Sequence, residues 1–351
     1  MLFSYNYVDH PLAEIQSWID YLFVEVWCKP QGDFSIEKLD NCPELRRMVL
    51  AIYHDERITT DYLYGPIERI YNCFSALSQD ERDELEVRYR DNNCIGDLCS
   101  NAAHCNPTHY KDLAHFDGAF IDDLKNLFIS FFENIIGLSV VKSSLGTLVN
   151  HYNHFHRHNA EHGVCPYCAL IEIQDDHDDT REAYDHYLPK SKYPFNAINF
   201  HNLSPMCHRC NSTCKSNKDP LHKNGVRRKA FYPYAGIDTD ISVSVSLEGF
   251  DMDHLSPTDI VIEIASDAFP EELDTWEDLF SIKARYNEKL RNRNSAKVWY
   301  TEIMDFHKKA KMSAHEYYEL QAETAAATPF QNANFLKIPF LDACAEKGLF
   351  D

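Results

Sequence analysis

Residues 165–218 read CPYC…DHYLPKSKYP…NLSPMCHRCNSTCKSNK, and the rest of the chain is organised around them. Two Cys-x-x-Cys pairs, Cys165/Cys168 and Cys207/Cys210, bracket Asp185-His186, and Asn211 follows the second pair at once. Zinc takes four soft or borderline ligands in a tetrahedron. Two thiolates at this spacing fit on one tight knuckle, so two knuckles close one site. The spacer holds 38 residues, longer than the about 15–20 of an ordinary zinc ribbon, so something is built between the knuckles. A chance doubling of the spacing or a redox pair leaves that content unexplained. A plain zinc module would keep the four cysteines without needing Asp185, His186 and Asn211 together.

Tyr184, His186 and Leu188 alternate at period two and Pro189 ends the run, which reads as one strand of a hairpin. Asn202-Leu203 leads to the second knuckle, and Asn211 opens a polar run, NSTCKSNK, suited to start a helix. This order of strand, loop, strand and helix resembles the HNH (ββα-metal) endonuclease motif in its zinc-stapled form. The resemblance covers roughly 55 of 351 residues, and its motifs are specific there. The phrases DHYLPKSKYP and NLSPMCHRCN are also similar to HNH nucleases of bacterial anti-phage systems, in particular the nuclease subunit of Septu-type pairs.

The resemblance implies roles. His186 is the general base, Asp185 and Asn211 hold a catalytic divalent cation, Mg²⁺ or Mn²⁺, and Asn202 braces the loop carrying His186. Cys165, Cys168, Cys207 and Cys210 hold a structural Zn²⁺. It also implies a nucleic-acid substrate, DNA before RNA, and a separate ATPase protein as partner. Elementary chemistry agrees with these roles. Phosphodiester hydrolysis needs an activated water and a cation on the phosphate. A neutral histidine is a suitable base near pH 7, and Mg²⁺ keeps most of its waters and takes only one or two protein oxygens. One departure stands out: many family members carry a Lys three residues after the last Asn, but here Lys215 follows Asn211 by four.

A chain of 351 residues, 44% hydrophobic and 13% aromatic, has the length for two or three domains and the apolar content for sizeable cores. No signal peptide opens it, and no 18-residue stretch is free of charge. The most apolar run, 124–141, contains Lys125 and Glu133 and reads as a buried helix rather than a membrane span. Twelve cysteines, four of them in knuckles, point to a reducing cytoplasm and not to a disulfide scaffold. The net charge of −21 argues against nucleic-acid binding by the whole surface. From His186 to Lys229, however, nine basic residues face one acidic residue, Asp219. That local excess is what a phosphate-binding face requires, with Lys190, Lys192, Arg209, Lys215 and Lys218 as the candidate contacts.

The flanks are more generic. Together they predict an α+β protein, mainly helical, carrying the zinc-stapled module: a helical domain over 1–150, the module over 151–235, and a small sheet with helices over 236–351. Asp9 with Pro11 opens a first helix, Pro43 a second, and Ser78 with Glu81 makes a capping box for a third. Residues 92–118 read as a loop whose Cys94, Cys99, Cys105, His104 and His109 lack regular metal spacing. A helical pair is expected over 120–136 and 139–158, ending in a histidine-rich face in which His154 and His158 lie one turn apart. DDHDD at 175–179 reads as a solvated turn. ISVSVSL and IVIEI alternate as strands, and helical patterns follow from Trp276, with Arg285, Arg291 and Arg293 on helix surfaces or at a nucleic-acid groove. The tail from Thr328, with Pro329 and Pro339, reads as irregular with one short helix. No phosphate-cradling glycine loop is present, so the chain does not read as an ATPase. A non-catalytic zinc-dependent module binding nucleic acid or protein, and an RNA-cleaving toxin-like nuclease, are the competing readings.

Overall fold

The computed structural model describes every residue except Asp176 and Asp238. The chain is mainly helical, with small two-stranded antiparallel sheets, an α+β arrangement. Its apolar side chains form two cores. The first gathers residues from Leu12 to Leu145 and is rich in aromatics, with Phe23 stacked on Tyr89 at 4.1 Å. The second gathers the cysteine knuckles, the later strands and the C-terminal helices, and it also takes in Met1, Tyr5 and Val8.

Local signals place the early helices. Pro43 occupies the first turn of Pro43–Tyr53, where its missing N–H costs nothing. Ser78 accepts from Glu81 N, while Glu81 Oε2 accepts from Ser78 N at 2.8 Å, so both ends of the capping box close at Gln79–Asn93. Gly118–Glu133 buries Phe120, Leu124, Leu127, Phe128 and Phe131. Among the described residues no single helix is long and apolar enough to cross a membrane.

Three stretches differ from the sequence expectation. The helix expected over 139–158 is two helices, Ser139–Leu145 and Leu148–Asn159. Gly146, at φ +84°, takes a conformation that a side chain would oppose, and Thr147 caps the second helix by accepting from Asn150 N at 3.0 Å. Within 92–118 a short helix forms at Ile95–Ser100. The tail holds a 13-residue helix, Asn334–Glu346, that runs through Pro339. Burial of Leu336, Phe340, Leu341 and Cys344 outweighs the lost backbone hydrogen bond. The DDHDD stretch includes Asp176, which lies outside the described residues; Asp178 Oδ2 accepts from Asp175 N at 3.0 Å and Asp175 Oδ1 from Asp178 N at 3.1 Å.

Two strands matter most. β1 (Tyr184–His186) pairs antiparallel with β2 (Leu203–Pro205), His186 facing Leu203 and Asp185 facing Ser204. The loop between them buries Phe195, Ala197, Ile198 and Phe200 in the N-terminal core, while Tyr187, Leu188 and Tyr193 enter the other core. The hairpin therefore seams the two cores together. Beyond it lie β3 (His222–Lys223) with β4 (Val226–Arg227), and β5 (Ser242–Leu247) with β6 (Ile260–Ala265). The last pair turns Ile260, Ile262 and Ile264 inward at period two.

Candidate metal and catalytic site

The four cysteines converge. Cys165, Cys168, Cys207 and Cys210 are buried, and their sulfurs lie within 4.8 Å of one another. Cys168 N and Ala169 N both donate to Cys165 O, and Ala169 takes φ +51°, which folds the first knuckle tightly. Asn211 N donates to Cys207 O at 3.0 Å in the second. Arg285, almost fully buried, directs Nη1 to Cys210 Sγ at 3.2 Å. It is thus neither a surface charge nor part of a groove, since a buried guanidinium needs the negative charge that thiolates on a metal supply. Four buried sulfurs with a cation beside them fit a structural Zn²⁺.

The second knuckle runs into a seven-residue helix, Arg209–Lys215, wound wide enough that Ser216 N donates to Asn211 O at 2.7 Å. Such π-type turns concentrate at functional sites. The helix brings Asn211 beside β1. Asp185, His186 and Asn211 line one cavity of about 360 Å³ with Tyr184, Pro189, Lys190, Ser191, Ser212, Ser216 and Asn217.

His186 is held firmly. Its Nε2 lies 2.8 Å from Ala197 O. A carbonyl only accepts, so Nε2 carries the proton and Nδ1 keeps its lone pair. Phe132 packs edge-on against the ring at 4.6 Å. Burial, with Lys190 and Lys215 nearby, pulls the His186 pKa down to about 3, so the imidazole is neutral at pH 7. Asn202 lies outside the cavity and is completely buried. Its Oδ1 accepts from Leu188 N at 2.7 Å and its Nδ2 donates to Leu188 O at 3.0 Å, so one amide clamps the chain two residues past His186.

The basic residues are largely occupied. Lys215 is buried, with Nζ 2.8 Å from Asp185 Oδ2 and 3.0 Å from His186 O. An inward lysine cannot meet a phosphate at the surface, which corrects its expected role; it ties the helix to β1. Burial raises the Asp185 pKa despite this partner. Lys190 pairs with Glu133 at 2.6 Å and Arg209 with Glu288 at 2.6 Å, both exposed pairs. Lys218 donates to Asp278 O at 2.8 Å, at the end of the Pro270–Phe280 helix. Lys192 lines a neighbouring cavity.

Sequence reasoning did not single out Phe132 and Glu133, which reach the site from a helix about 50 residues upstream. It also missed Asn93, Asn196 and Asn199, whose amides tie the loop to the Gln79–Asn93 helix, Asn196 Nδ2 donating to the backbone carbonyl of Asn92. The repeated Asn in YPFNAINFHN was the available signal. His154 and His158 sit on an exposed face, while His151 is buried and bonds Tyr184 Oη. Cys94, Cys99, Cys105 and His104 form no metal-ready group among the described residues; His104 pairs with Asp97 and Cys105 with Asp91 O.

No family profile matches the chain, and no solved structure does. A curated protein matches distantly: the Septu protein PtuB of Bacillus thuringiensis is 25% identical over 178 residues, 49% of this chain and 66% of the relative. The chain thus spans just under two thirds of the length of the relative it matches.

Proposed function

We propose that this chain is a divalent-cation-dependent endonuclease of the ββα-metal (HNH) type, and that it serves as the nuclease of a bacterial anti-phage system beside a separate ATPase. The observation that carries the reading is the convergence of three groups on one cavity. They are a neutral His186 with Nδ1 free to accept, the carboxylate of Asp185, and the amide of Asn211. The similarity to a Septu protein supports the defence role and the partner.

In this reading His186 Nδ1 takes the proton of the attacking water, and the Ala197 carbonyl stabilises the imidazolium through Nε2–H. Asn202 fixes the backbone so that the ring does not swing away. Asp185 and Asn211 would hold Mg²⁺ or Mn²⁺, whose charge acts on the scissile phosphate and leaving oxygen. Lys215 keeps the Asp185 carboxylate charged in a buried place. The four cysteines with Zn²⁺ hold the second knuckle, and so Asn211, against β1. Lys190 and Lys192 flank the cavity as phosphate contacts. DNA is the favoured substrate, and the same chemistry applies to RNA because it uses no 2′-hydroxyl.

The test compares zinc-loaded wild type with His186→Ala on plasmid DNA, single-stranded DNA and RNA, with Mg²⁺, Mn²⁺ or EDTA. Wild type is expected to cleave only with the divalent cation, and the variant to lose about 10²–10⁴-fold in rate with zinc content unchanged. Equal rates for the two proteins, or cleavage in EDTA, overturns the assignment. Wild type that leaves every substrate intact, alone and with a Septu-type ATPase added, would make the chain a zinc-dependent binding module.

A further inference from the structure

About one turn past the short helix the chain builds a second cluster that the nuclease reading does not use. His109, Asp219 and His222 bring one ligand atom each within 4.8 Å of the others. They come from three places: the turn before Tyr110–Leu113, the exit from the Arg209–Lys215 helix, and β3. All three side chains are largely buried, at 11%, 7% and 22% exposure.

The two oxygens of Asp219 have different work. Oδ1 accepts from Tyr193 Oη at 2.8 Å, from Leu221 N at 2.9 Å and from His222 N at 3.3 Å. Three donors saturate it and fix the carboxylate plane. Oδ2 faces both imidazoles, 2.9 Å from His109 Nε2 and 3.6 Å from His222 Nδ1. Burial pushes the Asp219 pKa up, but hydrogen bonds from His109, His222, Tyr193 and Leu221 N outweigh it, and the carboxyl stays well below the usual range.

We infer that His109, Asp219 and His222 form a second transition-metal site, separate from the four-cysteine cluster, with Zn²⁺ as its ion. A tetrahedral zinc with ligands at about 2.0–2.1 Å sets neighbouring ligand atoms about 3.3–3.4 Å apart. The separations of 2.9 and 3.6 Å bracket that value, so small side-chain shifts admit the ion. Two imidazoles and one carboxylate are a zinc ligand set that leaves the fourth position open. The surroundings are those of a supported site. Asp112 accepts from His109 N at 2.8 Å and places Oδ2 3.8 Å from His109 Nδ1, on the far side of the ring from Asp219. An entry path exists, since the three ligands line a cavity of about 400 Å³ with Tyr110, Lys111, Ser191, Lys192, Asn224 and Gly225. Ser191 also lines the Asp185–His186 cavity, so the ion would brace the loop leaving β1 from its other side. Lys111 and Lys192 at the rim favour an anion or hydroxide in the open position.

The test uses the purified full chain, exposed to excess zinc, desalted, and analysed by elemental mass spectrometry. Wild type should hold about two equivalents per chain and His222→Ala about one, with the circular dichroism spectrum unchanged. His222 is the least buried ligand and the variant least dependent on refolding. A second readout needs no variant: Co²⁺ added to the wild-type protein with zinc in its cysteine site should give ligand-field bands without the sulfur-to-metal charge-transfer bands of a thiolate site. Wild type that saturates at one equivalent with both metals, or His222→Ala that keeps two, overturns the site and leaves an ordinary buried hydrogen-bonded triad.

Discussion

Lys215→Met is the most informative single change in the molecule, because Lys215 joins the metal knuckle to the strand bearing Asp185 and His186. Its Nζ makes an ion pair of 2.8 Å and a charged hydrogen bond of 3.0 Å to His186 O, both inside the protein. Two unit charges at 2.8 Å attract by about 6 kcal/mol at an effective dielectric constant of 20, and desolvation of both groups offsets much of this. Methionine keeps the shape of the stem but strands a carboxylate that burial already disfavours. Breaking such a pair costs about 3–5 kcal/mol, a large part of a typical stability of about 5–15 kcal/mol. Urea unfolding of zinc-loaded protein, followed by tryptophan fluorescence, measures it. In Lys215→Met/Asp185→Leu both charges are gone, and stability should return to within about 1–2 kcal/mol of wild type, with a coupling energy of at least about 2 kcal/mol. Mg²⁺ should partly rescue Lys215→Met, because a cation held by Asp185 replaces the missing charge. A single variant within about 0.5 kcal/mol of wild type, or single losses that simply add, would refute the reasoning.

Two further outcomes are expected. Arg285→Met removes the cation donating to Cys210 Sγ and should weaken zinc retention by about 10–100-fold in a competition against a coloured chelator; unchanged retention would make Arg285 a packing residue only. His151, buried beside Tyr184 and facing His10, has its pKa pulled down to about 3 by burial. Above about pH 6.5 it is neutral whether folded or unfolded and contributes nothing; as pH falls below that, the unfolded chain gains a proton that the folded chain refuses. By pH 5 the loss is about 2 kcal/mol. The stability difference between pH 7.5 and pH 5 should therefore shrink by about that amount in His151→Phe, and an unchanged difference would contradict it.

The parts of the fold readable from sequence are those whose physics is local. The knuckles follow from cysteine spacing, the Pro43–Tyr53 and Gln79–Asn93 helices from their caps, and β5 and β6 from strict alternation. The break at Gly146 was equally local, since Thr147 and Asn150 form a cap, but the apolar run on either side masks it. The helix through Pro339 was not legible, because the apolar surface that stabilises it comes from β5, about 90 residues away. The same holds at the candidate site. Asp185, His186 and Asn211 announce themselves by type and order, whereas an inward lysine and an outward one look alike in a sequence. Only the fold, by setting Lys215 against a carboxylate 30 residues earlier, distinguishes them.

That distinction changes what the basic segment can do. Five of its nine basic residues are held by carboxylates: Lys190 by Glu133, Arg209 by Glu288, Lys215 by Asp185, and Lys223 and Arg228 by Asp278. All four carboxylates, Glu133, Asp185, Asp278 and Glu288, come from outside the segment, so the local excess of positive charge in the sequence is much smaller in space. The pairs of Lys190 and Arg209 are exposed and worth about 0–1 kcal/mol each, so a phosphate displaces Glu133 or Glu288 at little cost. The Lys215 pair is buried and does not exchange. On the proposed nuclease reading, a phosphate chain therefore finds a few cheaply released cations around the cavity on a body whose net charge is −21. Each neutralised phosphate adds to affinity through counterion release, and so few contacts give weak, salt-sensitive binding by the chain alone. Such a surface keeps a metal-dependent nuclease off bystander nucleic acid. It also defines what the proposed partner has to contribute: positive surface beside the Asp185–His186 cavity, so that the substrate is held in place only when the two proteins are together.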